Sequence, residues 1–390
     1  MAANNLTFEQ AAAFLTDLYE QASGEKAIAV TNTAAFVTVA QATLKTGYDN
    51  VINSISQVLG RTIFSIRPYS AKFAGLQVDA QRYGDITRKI NFVDGDVEND
   101  ERLPLTDGGS VDMYKINKPK ILQTNFYGGA TYQRHITIFR DQLDTAFQSY
   151  EEFSRFISGV MQNVMDQLEQ IKEAESRAAL VNFIAGKRVG DLENVINVVS
   201  MYNSETGNSV TVDDLFNETN FIPFSKWLYA FINGLMRKMS DRSTKFHINV
   251  TGKELHRHTP ANRMKAYMSA RYLDNIDSVT LPTIFGADRL KMIDWEAVSY
   301  WQNIDAPETI IATPSYLAVD GTITTAQQQV EIGGVVGVLF DEDAVGVTRI
   351  NEWNERTPFN AAGGYSNIYW HFTERFWNDF TENGVILIAE

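Results

Sequence analysis

The sequence predicts an α+β fold of two or more domains, on three observations. Its 390 residues exceed one compact core of typical size. One stretch, Ser149 to Lys187, carries a single helical pattern far longer than the three or four turns of an ordinary helix. Strand-like runs are gathered before and after that stretch instead of alternating with helices one by one.

The long stretch opens on Ser149 with Glu152 three residues on, the spacing of a capping box, in which each side chain satisfies a backbone N–H at the helix start. Phe153, Phe156, Ile157, Val160, Met161, Val164, Leu168, Ile171, Ala178, Val181 and Ile184 then follow at gaps that keep one apolar stripe. Gln162, Asp166, Glu169, Lys172, Glu173 and Arg177 fall mostly off it. Gly186 is the expected stop. At 1.5 Å per residue the rod is roughly 55 Å long, a spine for the rest of the chain.

Before the spine, Thr7 to Gln21 reads as a short amphipathic helix closed by Ser23-Gly24, and Tyr48 to Leu59 as a second, with small residues between them. Short isolated helices are marginal in water, so this arm docks, either on its own spine or on a neighbouring subunit. From Arg61 the pattern turns to strand (Ile63, Phe64, Ile66, then Pro68). Lys72 to Lys120 holds few large apolar residues, with turns marked by the acidic run Asp94 to Glu101 and by Asp107-Gly-Gly109. A structureless loop of that length is unusual within a domain. A two-stranded ribbon reaching away from the body fits better, with Tyr83, Ile86, Ile90 and Phe92 outgoing and Val111, Met113, Tyr114 and Ile116 returning. A solitary hairpin is barely stable, so the ribbon implies a partner surface. Those eight residues, with Asp94, Asp96, Glu98 and Asp100 of the acidic tip, are the candidate subunit-interface residues.

Ile121 to Arg140 resumes as strand and feeds the spine. After the spine, Val195 to Val199 opens a region of mixed type. Pro223 heads a helix through Met239, and Phe246, Ile248 and Val250 alternate as a strand. Near the end, Ile368, Trp370 and Phe372 alternate with Tyr369, His371 and Thr373, and Asn383-Gly384 precedes Val385 to Ile388. Asn-Gly between apolar runs is a strong hairpin signal, so the chain is expected to finish in a long antiparallel pair beside the spine.

Composition closes off several chemistries. With 44% hydrophobic and 12% aromatic residues, most of the chain is expected to fold. No apolar run of about 18 residues exists to span a membrane, and Met1 is not followed by a basic and then apolar leader. The absence of cysteine excludes thiolate catalysis, disulfides and Cys-based zinc sites. A formal charge of −14 argues against coating nucleic acid by neutralising phosphates, though not against enclosing it.

The motifs that suggest chemistry fail on inspection. The glycines of Glu331 to Gly337 lack G-x-G-x-x-G spacing, and strand follows them where a dinucleotide site needs a helix N-terminus. No P-loop and no G-x-S-x-G elbow occurs. The run from Asp94 begins like a calcium loop, but Asn99 stands where glycine belongs and Leu105 where the bidentate carboxylate belongs. It reads as a solvated or subunit-facing tip. His256 and His258 share one face of a strand pattern without a third ligand. Lys253, Arg257, Arg263, Lys265 and Arg271 gather as a candidate basic contact patch for acidic neighbours or phosphate, against the plainer reading of a solvated face. No catalytic, cofactor-binding or metal residue is assigned, and no cofactor is expected.

Two stretches point to a family. Gly334-Val-Val-Gly-Val-Leu-Phe-Asp-Glu-Asp-Ala-Val-Gly346 and Asn367 to Ile388, with Glu374-Arg375-Phe376 in mid-strand, together with the order of arm, hairpin, spine, mixed domain and returning strands, resemble the major capsid proteins of tailed bacteriophages, which share the Hong Kong 97-type fold. The resemblance implies an N-terminal arm (1–60), an extended loop and its base (61–120), a peripheral domain with the spine (121–187), an axial domain (188–345) and returning peripheral strands (346–390). It implies hexamers and pentamers in an icosahedral shell around double-stranded DNA, no enzymatic activity, and a place in the virion after assembly in the bacterial cytoplasm. Implied partners are further copies of the chain, a portal protein and a decoration protein. Folded-looking sequence starts within ten residues of Met1, so a separate scaffolding protein is expected. Some relatives crosslink a loop lysine to an asparagine; Lys72, Lys89 and Asn360 are available, but no motif singles them out and the reaction is not carried over. The rivals are an encapsulin-like nanocompartment and, from another class, a two-domain hydrolase or lyase using carboxylates.

Overall fold

The computed structural model describes residues 6–26, 30–59, 72–78, 86–93, 104–114, 116, 118–127, 129–280 and 295–390. The strand expected at Ile63, Phe64 and Ile66, and Tyr83, Asp94, Asp96, Glu98 and Asp100, lie outside the described residues.

The arm is three helices: α1 (Phe8–Ser23), α2 (Thr33–Lys45) and α3 (Tyr48–Leu59). Thr7 and Gln10 cap α1 reciprocally, and Gly24 ends it in the left-handed region. The sequence reading missed α2, because the alanines and threonines of TAAFVTVAQATLK make a weak stripe. Phe36, Val39 and Ala40 enter the core from it, with Leu44 packed at the margin. The arm docks on its own spine: Phe14 and Phe36 pack on Phe153, and Leu15, Val51 and Ile55 join the same cluster.

Next come β1 (Gln77–Val78), the paired strands β2 (Ile86–Val93) and β3 (Lys120–Tyr127), β4 (Ala130–Phe139) and α4 (Arg140–Ala146). The spine, α5, runs Tyr150–Gly190, 41 residues, with Ser149 as its cap. At 1.5 Å per residue it is about 60 Å long. Gly186 does not stop it. A Cβ there would lie 2.5 Å from the Phe380 ring, so this glycine serves close packing, and the helix ends at Asp191.

The central region holds β5 (Val195–Asn197), α6 (Val198–Thr206), α7 (Phe221–Ser240), β6 (Met264–Ser269), α8 (Ala270–Thr280), β7 (Trp295–Val298), the short strands β8 (Ile310–Ala312), β9 (Ser315–Leu317), β10 (Ile323–Thr325) and β11 (Val330–Ile332), and β12 (Val335–Asp341). The chain closes with β13 (Val345–Arg356), β14 (Tyr365–Asn378) and β15 (Gly384–Ile388).

Two sheets flank the spine. The central one has the order β5-β15-β12-β6-β7. Val336, Leu339, Val385 and Leu387 face α6, α7 and α8, while Val338, Phe340, Ile386 and Ile388 face the C-terminal half of the spine around Phe183 and Ile184. Burial on both faces explains why β12 and β15 read as continuous apolar runs. The peripheral sheet has the order β1-β13-β14-β4, with Tyr132 opposite Phe372 and Arg349 opposite Glu374. Its inner face meets the N-terminal half of the spine and the arm through Ile138, Ile368 and Trp370.

Three expectations are corrected. Asn383-Gly384 is not a hairpin turn: β14 pairs with β13 and β4, whereas β15 crosses into the central sheet beside β12 and β5. The Asn383 side chain is wholly buried, bonded to His247 and Thr259, so it was placed by burial and not by turn geometry. Phe246 to Val250 is not a strand. Phe246 takes φ 65°, and Ile248 and Val250 are buried from an irregular segment. His256 and His258 therefore share no strand face.

Candidate assembly surface

The ribbon is real, with a different return strand. β2 pairs antiparallel with β3 from Ile86↔Tyr127 to Val93↔Lys120, so the return runs through Lys120–Tyr127 and not through Val111 to Ile116. The segment holding Val111, Met113, Tyr114 and Ile116 is the tip beyond the ladder, and none of its described residues is in a strand. The misplacement has a simple cause: Thr124 and Asn125 break the apolar pattern of the true return strand, whereas Val111 to Ile116 alternates well.

The tip leaves apolar surface in water. Met113, Tyr114 and Ile116 are 80%, 79% and 80% exposed, and Phe92 is 69% exposed. Val111, Ile90 and Ile121 are also exposed, while Leu122 and Val93 of the ladder pack on the central core. Scattered apolar residues on a surface need no explanation, but several large ones exposed in one segment make it a candidate contact surface.

While its tip is bare, the ribbon's base is fixed. Lys89 Nζ lies 2.8 Å from Asp379 and 2.5 Å from Glu382, both buried beyond the end of β14. Arg257 joins Glu382 at 3.0 Å and also donates to the Thr381 carbonyl. Arg375 donates to Thr87, and Phe126 packs on Trp377. Burial alone would lower the Lys89 pKa, but the two carboxylates outweigh it and hold the ammonium above its usual range. Burial raises the Glu382 carboxyl, with Lys89 and Arg257 pulling the other way. Removing one partner of such a pair strands a buried charge, so the contact ties β2 firmly to the chain just beyond β14. Sequence reasoning noticed Lys89 only as an available lysine. Asp379 and Glu382, acids on either side of Phe380 just ahead of the apolar run Val385 to Ile388, were the signal that pointed to a buried ion pair.

The proposed basic patch does not gather as free charge. Arg257 is occupied as described; Arg263 lies within 3.4 Å of Asp341, Glu342 and Asp343; Arg271 reaches Glu308 at 3.6 Å and covers the Phe216 ring. Lys253 is exposed and Lys265 half-buried. Among the described residues no group of three His, Asp or Glu side chains is arranged to hold a metal, and no helix is long and apolar enough to cross a membrane.

A family model for the Phi29-like phage major capsid protein matches residues 14–388. The chain belongs to that family. No individually curated protein matches it in sequence. Among solved structures, it is similar to a chain in the capsid structure of Staphylococcus phage Andhra at 11% identity and TM-score 0.59, covering 84% of this chain and 87% of that one. It is also similar to a chain in the structure of the head fiber and inner core protein gp22 of native bacteriophage P68, at 12% identity and TM-score 0.56 with the same coverage. At such identities the likeness establishes the fold, the Hong Kong 97-type capsid fold. This capsid protein is thus a component of a phage shell, and neither the nanocompartment nor the hydrolase reading finds support.

Proposed function

We propose that this capsid protein builds an icosahedral shell of hexamers and pentamers around double-stranded DNA, each copy laying its ribbon on a neighbour. The observation that carries the reading is the ribbon itself, anchored at Lys89 and bare at Met113, Tyr114 and Ile116. Apolar surface held at a fixed angle loses little further freedom on docking, so more of its burial appears as affinity. Ile90, Phe92 and Val111 flank the tip and join that contact, as do Ile86 and Tyr83 and the acidic residues Asp94, Asp96, Glu98 and Asp100.

In this reading 1–60 is an arm, 121–187 with the strands that return after 345 is the peripheral unit, and 188–345 is the axial unit. The loop unit of 61–120 extends to Tyr127, where β3 ends, and the final strand β15 serves the axial sheet. A net charge of −14 keeps packaged DNA from adhering to the shell wall. The protein acts without catalysis and assembles in the host cytoplasm with a separate scaffolding protein; a portal protein and a decoration protein complete the particle.

The test shortens the ribbon without touching the core. Phe73 and Leu76 are buried, so removing everything from Lys72 to Lys120 would damage the body. Val93 faces Lys120 across the ladder, so residues 94–119 are replaced by Asn-Gly, which closes a two-residue hairpin. The expected product is folded, with unchanged circular dichroism, and forms no shells by negative-stain microscopy. Normal shells from this variant would refute the reading.

A further inference from the structure

Among the described residues the fully buried apolar side chains of the spine gather toward its two ends. Phe153 and Ile157 lie in the core with the arm, and Ala179 to Ala185 lie in the core with the central sheet. Between them Val160 and Leu168 are partly buried against the arm cluster, and the spine also crosses polar groups on the inner face of the peripheral sheet. Tyr132, Arg134, Phe372, Glu374 and Arg349 share that face, as their cross-strand register requires.

The polar contacts in this seam are incomplete. Glu175 is 6% exposed, and neither of its carboxylate oxygens has a hydrogen-bond partner. Ser158 Oγ, Arg134 Nε and Glu374 Oε2 are also buried without partners. The guanidinium of Arg349 is committed elsewhere: Nε and Nη2 to Glu374 Oε1 at 3.1 and 2.7 Å, Nη1 to Glu352 at 2.8 Å. Two buried carboxylates and one half-exposed one thus face a single arginine. Arg134 turns its Nη2 to Asn163, and Lys172 pairs with Glu169 at 2.5 Å. Among the described residues the other group facing Glu175 is the Tyr132 hydroxyl, which approaches it short of full hydrogen-bond geometry.

We propose that Glu175 makes the junction between spine and peripheral sheet responsive to protons: the neutral acid closes the seam, and the carboxylate loosens it. A buried carboxylate without partners is among the most costly groups a fold can hold, whereas the protonated acid has a hydrogen to donate and no net charge to bury. Burial raises the Glu175 carboxyl, with the Tyr132 hydroxyl and then Arg349 acting in the opposite sense. The Tyr132 phenol is in turn pushed up to about 12 by burial and by Glu175, so it remains a donor throughout. The sign follows. With its folded pKa above the unfolded value, this acid favours the closed seam at low pH and loses that contribution as pH rises through the folded pKa. The spine orients both domains, so the seam sets how stiffly the body holds them. This inference is independent of where the ribbon docks.

The experiment is amide hydrogen exchange on the full-length protein from pH 5 to pH 8, corrected for intrinsic rates and read on the spine segment 160–176. Wild type is expected to lose protection roughly fivefold or more toward pH 8. Glu175→Gln, which mimics the neutral acid, is expected to show high and flat protection. Tyr132→Phe removes a donor that favours the charged form, so its transition is expected at higher pH than in wild type. His135 and His371 lie on the opposite face of the sheet and remain in every variant, so a pH response of histidine origin would persist in Glu175→Gln. An unchanged pH profile in Glu175→Gln, or a flat profile in wild type, would overturn the proposal. If Glu175→Gln fails to fold, the direction of the Tyr132→Phe shift decides alone.

Discussion

Strand β12 and the ribbon tip draw on the same kinds of side chain and treat them oppositely. Val335–Asp341 buries all seven residues between two layers, whereas Met113, Tyr114 and Ile116 stand almost fully in water. The central sheet is completed within one chain by β6, β15, the spine and three helices. Nothing among the described residues completes the tip. Damage to the sheet should therefore appear as lost folding in one molecule, and damage to the tip as lost association between molecules.

The largest expected effect is in the sheet. Phe340 stacks on Tyr267 and packs on Phe183, and Phe340→Ala should cost about 3–5 kcal/mol in urea unfolding. A cost below about 1 kcal/mol would mean that this core is not the stabilising centre.

Next comes the tip. Replacing Met113, Tyr114 and Ile116 together by serine should leave unfolding within about 0.5 kcal/mol of wild type, since all three are strongly exposed. The concentration needed for assembly, followed by light scattering, should rise by roughly tenfold or more. Equal assembly in both proteins would blur the contrast between the regions.

The anchor lies between these extremes. Lys89→Met leaves Asp379 without its cation, while Glu382 keeps Arg257. We expect a loss of about 1–2 kcal/mol and irregular particles, because the ribbon then leaves the body at variable angles. Uniform shells from this variant would show that the neighbour, not the anchor, sets the ribbon's direction.

The smallest effect is a pH dependence in the central domain. His247 is buried, accepting or donating at Asn383, Asn249 and the Leu255 carbonyl, and burial lowers its pKa, with Asn383 pulling it back up. A base with a depressed folded pKa contributes fully above its unfolded value near 6.5 and loses that contribution as pH falls through this range. Stability should decline modestly on acidification, and His247→Gln should flatten that decline in a urea titration at several pH values. This slope is opposite in sign to that expected at Glu175, so the two sites are separable by segment.

The frame was legible because it rests on local pattern. Ser149 and the apolar stripe announced the spine, the alternation in Ile368 to Phe372 announced β14, and the sparse segment after Lys72 announced a two-stranded ladder. What the sequence hid is non-local. Asn383-Gly384 carries a hairpin signature, yet burial against His247 and Thr259 sends the following strand into another sheet. Gly186 carries a stop signature, yet it answers to Phe380, distant in sequence. At the candidate assembly surface the exposed tip residues could be picked from composition. Their anchor could not, because Lys89, Arg257, Asp379 and Glu382 meet only through the fold.

The most direct test of the central claim uses a photo-crosslinking amino acid at Tyr114 in shells assembled from equal parts isotope-labelled and unlabelled protein. Mass spectrometry then tells whether each crosslink joins one copy or two. Mixed-isotope pairs, falling on the body of a second molecule, are the predicted result. Crosslinks confined to single copies would show the tip folded onto its own chain and would contradict the account.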